Sequence, residues 1–199
     1  MRVLPVVEGH GEVSAVPALI RRLYPTLLQV YPDVLRPWRE SRGRLASPER
    51  LVDIVRAATT MRGIVPADVV LVMFDSDGQC PVELSQPLEA AISVHLRHLS
   101  VAVVIAHTAF EAWLLASSGK LVAEGVLVDA PFDASQCEEV PRPKRLVGER
   151  MPDSGGYVET MHQVRLSSHI DVEEAAQNSR SFRRLVTALV SHVNGNLLR

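Results

Sequence analysis

The run Val70-Leu71-Val72-Met73-Phe74-Asp75-Ser76-Asp77-Gly78 constrains the fold more than any other stretch of the chain. Five consecutive large apolar residues, led by β-branched Val70 and Val72, describe a strand buried on both faces, as inside a parallel sheet. Such a strand has no apolar reason to end in two acids. Side chains two apart on an extended chain point the same way, so Asp75 and Asp77 are expected to aim their carboxylates at one spot beyond the strand's C-terminal edge. Like charges held that close raise a pKa unless a cation lies between them. Oxygen-only ligands favour Mg2+ or Mn2+ over zinc. The competing reading is a solvated Asp-Ser-Asp-Gly turn in which each Asp caps neighbouring backbone N–H groups.

The rest of the chain alternates strands and helices around that run. Val3 to Val7 reads as a first strand and also ends in an acid, Glu8, followed by Gly9-His10-Gly11-Glu12. A helix follows from Val13 to Leu23, with Val16, Leu19, Ile20 and Leu23 at helical spacing. Pro25, Pro32 and Pro37 mark 24–37 as irregular, with a short strand near Val34-Leu35 or Trp38. Ser47-Pro48 is a helix start, Ser as N-cap and Pro in the first turn, and that helix runs to about Met61. A helix over 82–98 and a second all-apolar strand over 101–106 come after the acidic turn. Continuous rather than alternating apolar strands, separated by helices, predict an α/β fold with a mostly parallel sheet flanked by helices. Ligands in such sheets sit beyond the carboxyl ends of the strands, where the acidic turns lie.

The turn after 101–106 joins the same edge. There Thr108 and Glu111 have capping-box spacing, which gives Glu111 a structural role, while its position makes it a further metal or substrate contact. From Val126 to Met161 prolines and Gly155-Gly156 interrupt any periodicity, and a long irregular insertion carrying Lys144 is expected. Asp171-Val172-Glu173-Glu174 starts another helix. A last helix over 181–198 shows Phe182, Leu185, Val186, Leu189 and Val193 on one face, with Arg180, Arg183 and Arg184 nearby. The 199 residues are expected to form one domain, with a core over about 1–125 and the irregular segment and C-terminal helices over 126–199.

Composition narrows the function classes. A formal charge of −2 supplies no bulk field for nucleic acid or membrane, so a polyanionic partner must be held locally. Cys80 and Cys137 lack partners at finger-like spacing, so neither a zinc module nor a disulfide framework is indicated. No apolar run approaches a membrane span and the N-terminus turns acidic too early for a signal peptide, so a cytoplasmic protein is expected.

Four other chemistries fit less well. Gly9-His10-Gly11 opens a helix after a strand, but Ser14 stands where a dinucleotide fingerprint needs its third glycine, and Glu8 and Glu12 would repel a pyrophosphate. Asp-x-Asp after a strand is also used by haloacid-dehalogenase phosphatases, yet theirs sits near the N-terminus and continues differently from Gln79-Cys80-Pro81. The seven histidines share no ligand spacing beyond His95 and His98 on one helix, and no serine has an identifiable His/Asp partner.

Glu8-Gly9 after the first strand, followed by Asp75-Ser76-Asp77 after a later one, resembles the Toprim domain of topoisomerases, primases and OLD-family nucleases. More narrowly, the chain is similar to a bacterial Toprim-related family of unknown function. The matching segments are Val7 to Glu12, Asp75 to Asp77, Phe110 to Ala116, Pro143-Lys144 and Ser181 to Leu185. The resemblance implies a Toprim-like (Rossmann-like) sheet and Mg2+ (or Mn2+) held by Glu8, Glu12, Asp75 and Asp77, with Glu8 also a general acid or base. It implies phosphodiester chemistry on DNA or RNA, with Lys144 in a catalytic position and Arg145, Arg180, Arg183 and Arg184 on flanking phosphates. No ATPase domain or DNA-binding motif accompanies these residues, so an ATPase or other protein partner is expected. The alternative implied by the same scaffold is a catalytically silent binding or regulatory subunit.

Overall fold

The computed structural model describes residues 1–153 and 155–197, with side chains through 191. Five strands form one sheet in which every pairing is parallel. They are β1 (Arg2–Val7), β2 (Asp33–Val34), β3 (Trp38–Arg39), β4 (Val69–Asp75) and β5 (Ser100–Ala106). The order is β2-β1-β4-β5, with β3 also pairing β1 beyond β2. Val3 to Val7 lie opposite Val69 to Met73, and Val69 to Asp75 opposite Ser100 to Ala106.

Every residue of β4 is buried, as a central strand with no polar side chain before Asp75 requires. Its side chains alternate between two cores. Leu71 and Met73, with Val3, Val7, Val104 and Ala106, face one; Val70, Val72 and Phe74, with Val6, Val103 and Ile105, face the other. The second face is covered by α2 (Arg42–Leu45), α3 (Pro48–Arg62) and α4 (Pro81–His95). The first and larger core is built on α1 (Glu12–Leu28), α5 (Phe110–Ala116) and α6 (Ser118–Ala123), then on α7 (Pro143–Glu149), α8 (Glu159–His169), α9 (Val172–Asn178) and α10 (Arg180–Leu197). This is the expected α/β arrangement of a parallel sheet between helices.

Two expectations are corrected. The first helix does not stop at Leu23 but continues to Leu28 through Pro25, whose fixed φ is helical and whose cost is one missing N–H, against the burial of Leu23 and Tyr24 just before it. The segment 126–161 is not simply irregular: a 3-10 turn over Ala134–Glu139, α7 and the start of α8 occupy much of it. The apolar face of α8 is thin, and Gln163 and Ser167 are among its few buried residues, so periodicity could not reveal it. The expected end of the last helix at Leu198, and Val193 and His192 on it, lie outside the described side chains.

Trp113 explains why two of the recognised segments belong together. Its ring meets Phe110 and, edge-on at 5.5 Å, Phe182, while its indole N–H donates to Ser181 Oγ at 2.8 Å. The same oxygen accepts the His107 N–H at 3.2 Å, tying α10 to the end of β5.

Candidate metal centre

Parallel strands bring Glu8, Asp75 and His107 to one edge of the sheet. The chain winds from β1 outward to β2 and later returns to β4 on the other side, so the crevice between β1 and β4 is the switch point at which such sheets bind ligands. Glu8 follows β1 directly and Asp75 ends β4. Glu8 Oε2 accepts the Asp75 N–H at 3.3 Å. Glu12, in the first turn of α1, is buried and folds back, its Oε2 accepting the N–H groups of Glu8 and Gly9 at 3.0 Å each.

Asp75 Oδ1 accepts the Phe110 N–H at 2.9 Å, so the carboxylate ending β4 caps α5. The Thr108–Glu111 capping box is therefore not formed, and the Thr108 hydroxyl donates to the Val140 carbonyl at 3.3 Å. Glu111 instead turns inward and is fully buried. Its Oε1 accepts the Tyr157 hydroxyl at 2.8 Å and Gln163 Nε2 at 3.4 Å, whereas its Oε2 is buried with no hydrogen-bond partner. Gly11 makes room for this arrangement. A Cβ there would lie 2.2 Å from Gln163 Oε1 and 3.0 Å from the Glu159 backbone, so α8 docks on α1 this closely because the position is a glycine, and any other residue would force Gln163 and the start of α8 to shift.

These carboxylates are held against their ordinary ionisation. Burial pushes Glu12 up to about 7, in spite of its two N–H bonds, and neighbouring Glu8 and Glu111 add to the rise. Burial also raises Asp75 well above the carboxylate range, with Glu12 and Glu111 reinforcing it, and raises Glu8 and Glu111. Lys144 opposes this at Asp75, Glu111 and Glu8, and Arg42 adds to it at Glu8. Burial would lower Lys144, but Glu111, Glu159 and Asp75 outweigh it and raise its pKa, and its Nζ lies 2.9 Å from Glu159 Oε1.

Asp77 does not share the extended geometry expected for Asp-x-Asp. It adopts φ +50°, a left-handed conformation that Asp tolerates, and Gly78 follows at φ +83°. Its carboxylate is exposed and pairs with Arg42 Nε at 3.0 Å. Arg42 also donates to the carbonyls of Asp75 and Ser76 at 3.0 Å each, strapping the turn to α2. A cavity of about 680 Å3 lies beside Asp75 and Asp77, and its other wall carries Arg142, Lys144 and Arg145 from the start of α7.

The remaining predicted arginines divide. Arg145 lines that cavity but pairs with Glu149 at 2.7 Å. Arg180 and Arg184 line a different cavity, next to Gly78. Arg183 donates to the carbonyls of Ala176 and Gln177 at the end of α9. Sequence reasoning missed Arg42, Tyr157 and Gln163, whose proximity comes only from the fold; Gly11 was the one local sign that something packs closely there.

Among the described residues no three His, Cys, Asp or Glu side chains are grouped so that they could hold a metal ion. The carboxylates of Glu8, Glu12 and Asp75 each spend an oxygen on a backbone N–H. The donor set nevertheless suits a hard divalent cation: it is oxygen only, it is poorly ionised without a counter-charge, and Glu111 Oε2 is orphaned.

Residues 7–190 match the family described as Domain of unknown function (DUF4276). The chain belongs to this DUF4276 family. No curated protein matches it. Among solved structures, this DUF4276 chain is similar to the C-terminal region of the Xanthomonas campestris pv. campestris OLD protein, at 14% identity and a TM-score of 0.40, over 98% of this chain and 97% of that one. Among the described residues no helix is long and apolar enough to cross a membrane.

Proposed function

We propose that the chain is a Toprim-type, Mg2+-dependent (or Mn2+-dependent) phosphodiester-processing enzyme, a nuclease acting on DNA or RNA. The observation that carries this reading is the set of carboxylates with raised pKa, buried Glu12, Asp75 and Glu111 with half-buried Glu8, at the switch point of a parallel sheet. A fold does not bury three such acids beside a fourth, half-buried one for stability. Glu8, Glu12, Asp75, Asp77 and Glu111 are the residues that would hold the metal. When bound, it would supply charge neutralisation for the phosphate and stabilise the attacking and leaving oxygens.

The chain's own residues divide the rest of the work. Lys144, which faces Asp75 and Glu111 from α7, holds a non-bridging phosphate oxygen and offsets negative charge as it develops. Half-buried Glu8, its pKa raised, accepts or returns a proton at the reacting oxygen. Tyr157 and Gln163 fix Glu111 from one side and leave its second oxygen for the cation. Arg42 holds the Asp77 turn.

The test is cleavage of labelled single- and double-stranded DNA and RNA with Mg2+ or Mn2+. Asp75→Asn and Glu8→Gln should each abolish cleavage with the fold kept, since Asn retains the oxygen that caps α5. Cleavage surviving both changes would overturn the proposal. A second reading is a silent regulatory subunit working with an ATPase or other protein, favoured by the absence, among the described residues, of three acids grouped as a ready-made metal site. That reading predicts partner binding unaffected by Asp75→Asn.

A further inference from the structure

A second cavity, of about 760 Å3, opens on the other side of the Asp77-Gly78 turn, over β5 and between the N-terminal ends of α4 and α10. A Cβ at Gly78 would meet nothing within 4 Å, so the space beside this residue, which lines both cavities, is open. The floor of the second cavity is apolar, made by Val103 and Ile105 with Val82 at the lip, while Gln79 and Gln86 supply amide donors and acceptors.

Cations stand at the mouth. Arg184 from α10 reaches Glu89 of α4 at 2.7 Å, and Arg180 approaches Glu138 at 3.8 Å with its side chain 85% exposed. The Arg184–Glu89 pair is exposed on both sides and holds weakly, and Arg180 reaches the more buried Glu138 only at long range, so both guanidinium groups can turn to a phosphate or lie flat on a base. His107 lines the wall, its ring fixed by a 2.8 Å contact between Nδ1 and Ser76 Oγ. The lining is apolar below, with amides at the side and guanidinium planes and an imidazole around it, and its two carboxylates, Glu89 and Glu138, stand at the arginines; a flat group with donor and acceptor edges fits the floor, with its phosphate on the guanidinium side.

We propose that this cavity receives one unpaired nucleotide of a single-stranded substrate whose neighbouring phosphodiester lies at the carboxylate centre. The proposal rests on the nuclease reading for the second half of that statement and deepens it by naming the substrate class. A base still stacked and paired within a duplex cannot enter a pocket walled by two helices and a strand. The enzyme therefore selects single strands, or ends and gaps with an unpaired residue.

The experiment is fluorescence anisotropy of a short labelled oligonucleotide, single-stranded or annealed to its complement, with EDTA present so that no cation bridges it to the acids. Wild type should bind the single strand at least about fivefold more tightly than the duplex, the least that one stacked base is worth. Val82→Asp places a charge on the lip, in a first helical turn that tolerates Asp, and Arg184→Gln removes a cation from an exposed position. Each should weaken single-strand binding at least about fivefold with the circular dichroism spectrum unchanged. Equal or tighter duplex binding, no single-strand binding by wild type, or variants that bind like wild type would overturn the proposal. Failure of the two readings is distinguishable. Binding in EDTA without any metal-dependent cleavage would leave the cavity and remove the nuclease, whereas Mg2+-dependent cleavage without strand selection would do the reverse.

Discussion

Glu12 carries a charge that the fold resists, and Glu12→Gln measures how strongly. Its folded pKa of about 7 lies above the ordinary 4.5, so between those values the folded protein holds a proton that the unfolded chain releases. Stability from this group is therefore complete below about pH 4.5, falls as pH rises, and is lost above about 7. At about 1.36 kcal/mol per pH unit, the loss comes to about 3 kcal/mol. Gln carries no charge at any pH, and its amide oxygen can still accept from the N–H groups of Glu8 and Gly9. At pH 8.5 in EDTA the variant should be the more stable protein by up to about 3 kcal/mol, or about 6–12 °C in Tm for a chain of this size. Near pH 4.5 the two should converge. Saturating Mg2+ should raise wild-type Tm and leave the variant nearly unmoved, since only a cation that binds the folded centre shifts the balance. Thermal melts across pH with and without Mg2+ read all of this. A variant less stable than wild type at pH 8.5, or two parallel pH curves, would refute the reasoning.

Other expectations follow from single contacts. Lys144→Gln removes the one cation facing Asp75 and Glu111, so its destabilisation should be larger at pH 8 than at pH 5 in denaturant melts; an equal loss at both pH values would contradict the charge account. Gly11→Ala forces a methyl into the contact of α1 with α8 and should cost about 1–3 kcal/mol in urea unfolding, whereas a neutral effect would show that α8 docks more loosely than described. Ser181→Ala leaves the Trp113 indole and the His107 N–H without their shared acceptor and should cost about 2 kcal/mol, visible as a shift in tryptophan fluorescence and a lower urea midpoint.

The parallel core could be read from the chain because buried strands need uninterrupted apolar runs, and 3–7, 69–74 and 101–106 supply them. Glu8 and Asp75 were legible for the complementary reason, as acids where an apolar run should continue or close quietly. Asp77 was misplaced because the extended rule was carried two residues past the end of β4; Gly78, which makes a sharp turn cheap, was the warning. Glu111 looked like a cap because the spacing rule is local, whereas the actual cap comes from Asp75, thirty-five residues before the Phe110 N–H that it accepts. Apart from Gly11, which marks a close approach without saying what makes it, the sequence did not disclose α8 or the inward face it gives to Tyr157 and Gln163. A helix that buries glutamine and serine leaves no hydrophobic stripe, and its docking depends on Gly11 in a distant element.

Isothermal titration of Mg2+ and of Mn2+ into wild type and Asp75→Asn at pH 8 reads the carboxylate centre most directly. Binding by wild type, with proton release as Glu12 and its neighbours ionise around the ion, and its loss in Asp75→Asn are the predicted results. Wild type that takes up neither ion, or Asp75→Asn that binds as wild type does, would contradict a metal centre at the end of β4.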